Sequence, residues 1–196
     1  MEKNYFWGEP DASVKFCEDK YDVVPWIAEY TNSISAICYF SVGFVFLNTR
    51  LKHIAYDLFF LGISTFLFHM SMRAWGQMLD EMAMIVLSYD ALRDVVNIKR
   101  IYVIPILILY VLLHEYFLFF LILFSSLQVY LAKIGLNNVK PNKKLYLNAY
   151  IFSFLFAFMF WLGDQFYCSS VKKYYFHAIW HYLSAQAILF GLLSIL

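Results

Sequence analysis

Charged residues are scarce in this chain. Only 15% of its 196 residues are Asp, Glu, Lys or Arg, whereas 62% are hydrophobic and 21% are aromatic. Soluble domains carry about 25% charged residues, so this composition indicates an integral membrane protein. The formal net charge is +1, which argues against a nucleic-acid partner, because such proteins concentrate basic residues on one surface.

Cysteine is also rare, with three residues, too few for a disulfide scaffold but enough for one bridge. The N-terminal stretch "MEKNYFWGEP" lacks the apolar core of a signal peptide, so we expect the chain to be uncleaved. The chain has no internal repeat, no low-complexity tract and no second domain. We therefore expect an N-terminal segment, residues 1–30, followed by one helical membrane domain, residues 31–196.

Long apolar runs predict an all-α bundle of seven transmembrane helices. A spanning helix needs about 20 mostly apolar residues, and such runs occur at 31–49, 54–72, 78–97, 101–114, 116–132, 145–163 and 176–196. The third run is interrupted by Asp90, Arg93 and Asp94. The fourth is short, with Pro105 near its start, where a helix tolerates proline best. A six-span bundle, in which the fourth and fifth runs form one re-entrant hairpin, is the alternative.

The distribution of basic residues predicts the orientation. With seven spans, nine Lys and Arg residues lie on one side: Arg50, Lys52, Arg93, Lys99, Arg100, Lys133, Lys140, Lys143 and Lys144. The other side has six: Lys3, Lys15, Lys20, Arg73, Lys172 and Lys173. Because cytoplasmic loops carry the basic excess, we expect a luminal or extracellular N-terminus and a cytosolic C-terminus.

Four polar side chains are predicted at one depth in the bundle. His69 ends the second span and Asp80 begins the third, across the short connection "RAWG". His177 and His181, in "FHAIWHY", begin the seventh span, and a four-residue spacing places them on one helix face. All four groups therefore lie in the outer leaflet, although more than 90 residues separate His69 from the histidine pair.

Three converging imidazoles are the ligand set of a catalytic zinc, whose bound water has a pKa lowered to about 7. Asp80 would orient a histidine or accept the proton of the attacking water. Thr65, one turn before His69, would stabilise an oxyanion, and Ser64 is less well placed for this role. The alternatives are histidines that only bridge helices by hydrogen bonds, or a non-catalytic metal-dependent or pH-gated receptor.

Six motifs follow one another along the chain: "WGEP" (7–10), "FCEDKYDVVPWIAEYTNSIS" (16–35), "GISTFLFH" (62–69), "QMLDE" (77–81), "FWLGDQFYC" (160–168) and "HAIWH" (177–181). Together they resemble the alkaline ceramidases, a family within a larger superfamily of seven-span hydrolases that includes the adiponectin receptors. The N-terminal motif separates ceramidases from their superfamily relatives. The resemblance therefore covers nearly the whole chain.

The resemblance implies zinc-dependent hydrolysis of the amide in ceramide, phytoceramide or dihydroceramide, giving a sphingoid base and a fatty acid. His69, His177 and His181 match the zinc ligands, and Asp80 matches the acid that assists the water. Thr65 stands at the family's serine. Ser64 stands at a glycine and would share the hydroxyl role. An endoplasmic reticulum or Golgi-type membrane with a luminal site is implied for a eukaryotic protein. A related lipid amide or ester hydrolase and a non-catalytic zinc-containing lipid receptor are the alternatives.

The resemblance also implies a calcium site in the N-terminal segment. Glu18, Glu29 and the carbonyl of Phe16 match its ligands, and Lys20 would contribute its carbonyl. However, Lys15 stands at an aspartate and Lys20 at an asparagine, and an ammonium repels a dication. Either Asp19 or Asp22 substitutes as a ligand, or Lys15 pairs with a glutamate and replaces the ion.

The same resemblance implies a disulfide between Cys17 and Cys168, on the side that the basic residues predict to be oxidising. Cys38, inside the first span, is expected to be a buried free thiol. Trp161 and Asp164, in "FWLGDQ", match family positions near the outer end of the sixth span. We expect them to support the site rather than to take part in a chemical step.

Overall fold

The computed structural model describes residues 5–196, and within that range it is entirely helical, without strands. Residues 1–4 of the predicted N-terminal segment lie outside the described residues. The helices are α1 (Tyr30–Ser35), α2 (Ile37–Phe46), α3 (Lys52–Ser71), α4 (Ala74–Val96), α5 (Val103–Leu113), α6 (Phe117–Asn138), α7 (Lys144–Phe166), α8 (Cys168–Val171) and α9 (Phe176–Ile195). Three short 3₁₀ turns precede α5, α7 and α9: Arg100–Tyr102, Pro141–Lys143 and Lys172–Tyr174. The all-α prediction is confirmed.

Each predicted apolar run coincides with helix, but the lengths differ. Four helices in residues 5–196 are long and apolar enough to cross a bilayer: Lys52–Ser71, Phe117–Asn138, Pro141–Phe166 and Phe176–Ile195. The first run is divided between α1 and α2, and α5 has only 11 residues, or about 17 Å at 1.5 Å per residue. These four apolar helices support an integral membrane protein, whereas the number of spans and the orientation stay predictions.

The charged residues that interrupt the third run pair at one end of the bundle. Oδ2 of Asp90 lies 3.0 Å from Nη2 of Arg100, which also contacts Oδ1 of Asp57 at 3.2 Å. Asp94 lies 3.1 Å from Nε2 of His53 and 3.6 Å from Nη1 of Arg50. Because these charges are paired, α4 tolerates them in an apolar setting.

A tight turn brings α3 and α4 together at the other end. Met72 ends α3 in the left-handed conformation (φ +52°), and its N–H donates to the Phe68 carbonyl at 2.6 Å. Gly76 lies against Phe68, and a Cβ added to Gly76 would be 2.9 Å from the Cα of Phe68. The close approach at this glycine fixes α3 and α4 as neighbours next to His69. We call this the histidine end.

The N-terminal segment covers the histidine end before α1 begins. The N–H groups of Ala28 and Glu29 donate to the carbonyls of Met70 and His69, at 2.8 and 3.0 Å. Cys17 and Cys168 form the predicted disulfide, with Cα atoms 5.3 Å apart, and Cys38 is free and buried. The segment is thereby joined both to the last turn of α3 and to the start of α8.

Candidate metal centre

Three buried histidines meet at the histidine end. His69 is in the last turn of α3, and His177 and His181 are one turn apart at the start of α9. Their ring centroids are 4.6 to 5.0 Å apart, and one ligand nitrogen from each lies within 4.8 Å of the others. The structure therefore brings together the three imidazoles that the sequence placed at one depth.

Two of the imidazoles have a hydrogen-bond partner on the side away from the cluster. Nδ1 of His69 lies 2.6 Å from Oε2 of Glu29, and Nδ1 of His181 lies 2.6 Å from Oγ of Ser35. Such contacts fix the ring orientation and leave Nε2 as the ligand atom. Sequence reasoning missed both roles: Glu29 was assigned only to calcium, and Ser35 is one serine among several in "NSIS".

The donor set fits a metal cation. Nε2 of His177 is 3.3 Å from Nε2 of His69, and Nδ1 of His177 has no hydrogen-bond partner among residues 5–196. Tetrahedral ligand nitrogens at about 2.0–2.1 Å from zinc lie about 3.3 Å from one another. The cluster could therefore hold a metal ion without large rearrangement.

The predicted carboxylate and hydroxyls lie beside the histidines, on α3 and α4. Oγ1 of Thr65 donates to Oδ1 of Asp80 at 2.5 Å, and both side chains line the same cavity as His177 and His181. While this bond is made, the Thr65 hydrogen is unavailable to an oxyanion. Ser64 instead donates to the Leu61 carbonyl of its own helix, at 3.0 Å.

A second buried carboxylate lies behind Asp80. Oε1 of Glu81 accepts from Nε2 of Gln77 at 2.7 Å, and Oε2 accepts from the Tyr110 hydroxyl at 2.8 Å. Gln77 also accepts from the backbone N–H of Ser13 at 2.8 Å. This network joins α4 to α5 and to the N-terminal segment. In the sequence, only the adjacent carboxylates in "QMLDE" pointed to this network.

Phe16, Trp161 and Asp164 surround the cluster. The Phe16 ring stacks on His177 with centroids 3.7 Å apart, and Trp161 lines the cavity with the histidines. Oδ2 of Asp164 accepts from the Cys17 N–H at 3.2 Å, which holds the N-terminal segment against α7. The supporting role of Trp161 and Asp164 stays a prediction.

The residues predicted to bind calcium form a different arrangement. The ammonium of Lys20 donates to the carbonyls of Phe16 and Glu18, both at 2.9 Å, and to Oε1 of Glu29. Both carboxylate oxygens of Glu18 accept backbone N–H groups at the start of α1, from Thr31 at 2.6 Å and from the next residue at 2.8 Å.

Asp19, a predicted substitute ligand, and Lys15, the predicted replacement for the ion, both lie away from these oxygens. Asp19 is exposed and pairs with Lys172 at 2.6 Å. Lys15 is exposed too, and within residues 5–196 it forms no ion pair with Glu18 or Glu29. Calcium takes six to eight oxygens and repels an ammonium, so these residues, as arranged, do not fit the ion.

The neighbours of Glu29 determine the direction in which the pKa of its carboxyl is shifted. Burial raises the pKa of its carboxyl, but the hydrogen bond from His69 together with the charge and the hydrogen bond of Lys20 lowers the pKa below its usual range. Burial instead dominates at Glu18 and raises its pKa. Glu29 is the buried carboxylate that contacts both His69 and Lys20.

Two adjoining cavities lie inside the bundle. The first is at the histidine end and is lined by His177, His181, Asp80 and Thr65 together with aromatic rings. The second is mostly apolar and extends between α4, α6, α7 and α9. The two share the side chains of Tyr39, Met84, Phe124 and Trp180. An apolar path therefore extends from the histidine end into the bundle.

A ceramidase family model matches residues 8–195, almost the whole chain. The chain belongs to the ceramidase family. Alkaline ceramidase YPC1 of Saccharomyces cerevisiae is 31% identical over 87 residues, which cover 40% of this chain and 28% of that protein. The chain thus matches less than a third of the length of this curated relative. Membership of the family agrees with the resemblance of the six motifs.

Proposed function

We propose that this protein hydrolyses the amide bond of ceramide, or of its phyto- and dihydro- forms, to a sphingoid base and a fatty acid. The observation that carries the proposal is the meeting of His69, His177 and His181 in a buried cluster beside Asp80. Family membership and the alkaline ceramidase relative support an amide of this class as the substrate.

Zinc is the ion we assign to the cluster, with His69, His177 and His181 as its ligands. Three neutral imidazoles with one open position are the usual protein ligands of a hydrolytic zinc. When bound, zinc supplies a Lewis acid that activates water and polarises a carbonyl. Glu29 and Ser35 would keep the Nε2 atoms of His69 and His181 directed at the ion.

Asp80 is the group we assign to proton transfer. Hydrolysis adds the hydroxyl of water to the acyl carbon, breaks the carbon–nitrogen bond and leaves a proton for the departing amine. A buried carboxylate beside the cluster is suited to take that proton from water and return it to nitrogen. Thr65 would hold Asp80 in position and would reach an oxyanion only after turning away from it.

The two cavities suit a lipid whose reacting amide lies close to the membrane surface. One hydrocarbon chain would occupy the apolar cavity between α4, α6, α7 and α9, and the other would extend into the bilayer. We place the histidine end on the luminal side, in a seven-span bundle with a cytosolic C-terminus. The exposed apolar side chains of α6 and α7 support contact with lipid.

Turnover of ceramide by purified full-length protein tests the proposal. Mass spectrometry of short, long, saturated and unsaturated ceramides should detect equal amounts of sphingoid base and fatty acid. His181→Ala should lose zinc and turnover together, whereas Asp80→Asn should keep zinc and lose about 10²–10⁴-fold in rate. Cleavage of other lipid amides or esters alone would indicate a different hydrolase. Folded, zinc-loaded protein that cleaves none would contradict catalysis.

A further inference from the structure

The ammonium of Lys20, in the N-terminal segment, lies next to the candidate metal centre. The Lys20 ammonium donates to the carbonyls of Phe16 and Glu18, at 2.9 Å each, and to the carboxylate of Glu29. An ammonium has three N–H donors, and each has one oxygen here. Two carbonyls and a carboxylate are also the oxygen types that bind hard cations.

Two of these oxygens belong to residues that touch the histidines. Oε1 of Glu29 contacts Lys20, while its Oε2 contacts Nδ1 of His69 at 2.6 Å. The carbonyl of Phe16 accepts from Lys20, while the Phe16 ring stacks on His177. One ammonium therefore holds the two residues that position His69 and His177.

This arrangement of residues does not provide a binding site for a divalent ion. The Glu18 carboxylate caps α1, and Asp19 pairs with Lys172 at the surface, so neither carboxylate is directed at the oxygens around Lys20. Removing the ammonium would leave the buried carboxylate of Glu29 without its positive partner. An unpaired buried charge is strongly destabilising.

We infer that Lys20 is a positioning residue whose ammonium takes the structural place of a calcium ion. It holds Glu29 against His69 and Phe16 against His177, and the metal centre forms without calcium. This inference extends the proposed function to its ion requirement. Its main readouts are calcium binding, thermal stability and zinc affinity, so it is tested separately from ceramide turnover.

Full-length wild type, Lys20→Ala and the double variant Lys15→Asp/Lys20→Asn would be compared in detergent micelles. Wild type should bind no radioactive calcium and keep its melting temperature in a calcium chelator. Lys20→Ala should bind zinc about 10–100-fold more weakly, because the support of a ligating histidine is lost. The double variant should bind calcium and regain melting temperature and zinc affinity only when calcium is added.

Lys172→Ala is the matched control, since it removes a lysine that pairs with Asp19 outside the cluster. It should keep wild-type zinc affinity. Stoichiometric calcium binding by wild type, with a chelator-induced fall in melting temperature, would overturn the inference. So would equal zinc affinities for Lys20→Ala and Lys172→Ala. If Lys20→Ala does not fold, the wild-type calcium titration decides the question alone.

Discussion

Oε2 of Glu29 lies 2.6 Å from Nδ1 of His69, and both side chains are fully buried. The contact joins the residue before α1 to the last turn of α3, 40 positions further along the chain. A carboxylate at this distance fixes the imidazole tautomer and raises its basicity as a ligand. The N-terminal segment is therefore part of the candidate metal centre rather than only its cover.

Ser35→Ala tests the equivalent support of His181. The substitution removes the hydroxyl that lies 2.6 Å from Nδ1, so the ring loses its orienting partner. We expect zinc affinity or turnover to fall by about 10–100-fold, with little change in melting temperature. Ser41→Ala is the control, because that exposed hydroxyl donates to the Ile37 carbonyl of its own helix. Equal zinc affinity and equal turnover in the two variants would argue against a role for Ser35.

The hydroxyl of Thr65 should matter more than its methyl group. Thr65→Val keeps the volume but removes the donor to Asp80, and we expect kcat to fall about 10-fold or more with KM little changed. Thr65→Ser should retain most of the activity. Ser64→Ala should have the smaller effect, because Ser64 donates to its own helix. Steady-state kinetics would check the order, and a larger loss in Ser64→Ala would reverse the assignment.

The disulfide should contribute to the stability of the folded protein. Cys17 and Cys168 are 151 residues apart in sequence, and a bridge closing so long a loop typically contributes about 2–4 kcal/mol. Cys17→Ser, Cys168→Ser and the double variant should melt at the same lowered temperature. Reductant should lower the melting temperature of wild type to that value and leave the double variant unaffected. Wild type that is insensitive to reductant would show that the bridge is absent in solution.

The apolar cavity should set the chain length that is accepted. Ala187, on α9, is buried in the wall of the apolar cavity between α4, α6, α7 and α9, and Ala187→Phe would fill part of that cavity. We expect turnover of long-chain ceramides to fall relative to short-chain ones. Leu155→Phe, on the exposed face of α7, is the control and should keep the wild-type ratio. An unchanged ratio in Ala187→Phe would place the lipid chain elsewhere.

The histidine cluster was predictable because its members occur at helix ends that hydropathy locates well. His69 precedes a short connection, and His177 and His181 share one helix face. Their common depth in the predicted bundle was therefore enough to predict the cluster. The helix boundaries near charged or short runs were harder to predict. The apolar run 31–49 gave no sign of the break between α1 and α2 at Ala36.

Long-range polar contacts were not predictable from residue spacing. Ser35 and His181 are 146 residues apart, and only packing of α1 against α9 makes their contact. The function of Lys20 depends on the direction of its side chain, which folds back toward Phe16 and Glu18. A lysine at this position indicated a poor calcium site, but the sequence did not show which lysine would replace the ion.

X-ray absorption at the zinc edge of purified full-length protein is the most direct test of the metal centre. The account predicts one zinc per chain, with three imidazole nitrogens at about 2.0–2.1 Å and one oxygen. His177→Ala should reduce the imidazole shell and the zinc content together. A spectrum with sulfur ligands, or folded wild-type protein that takes up no zinc, would contradict it.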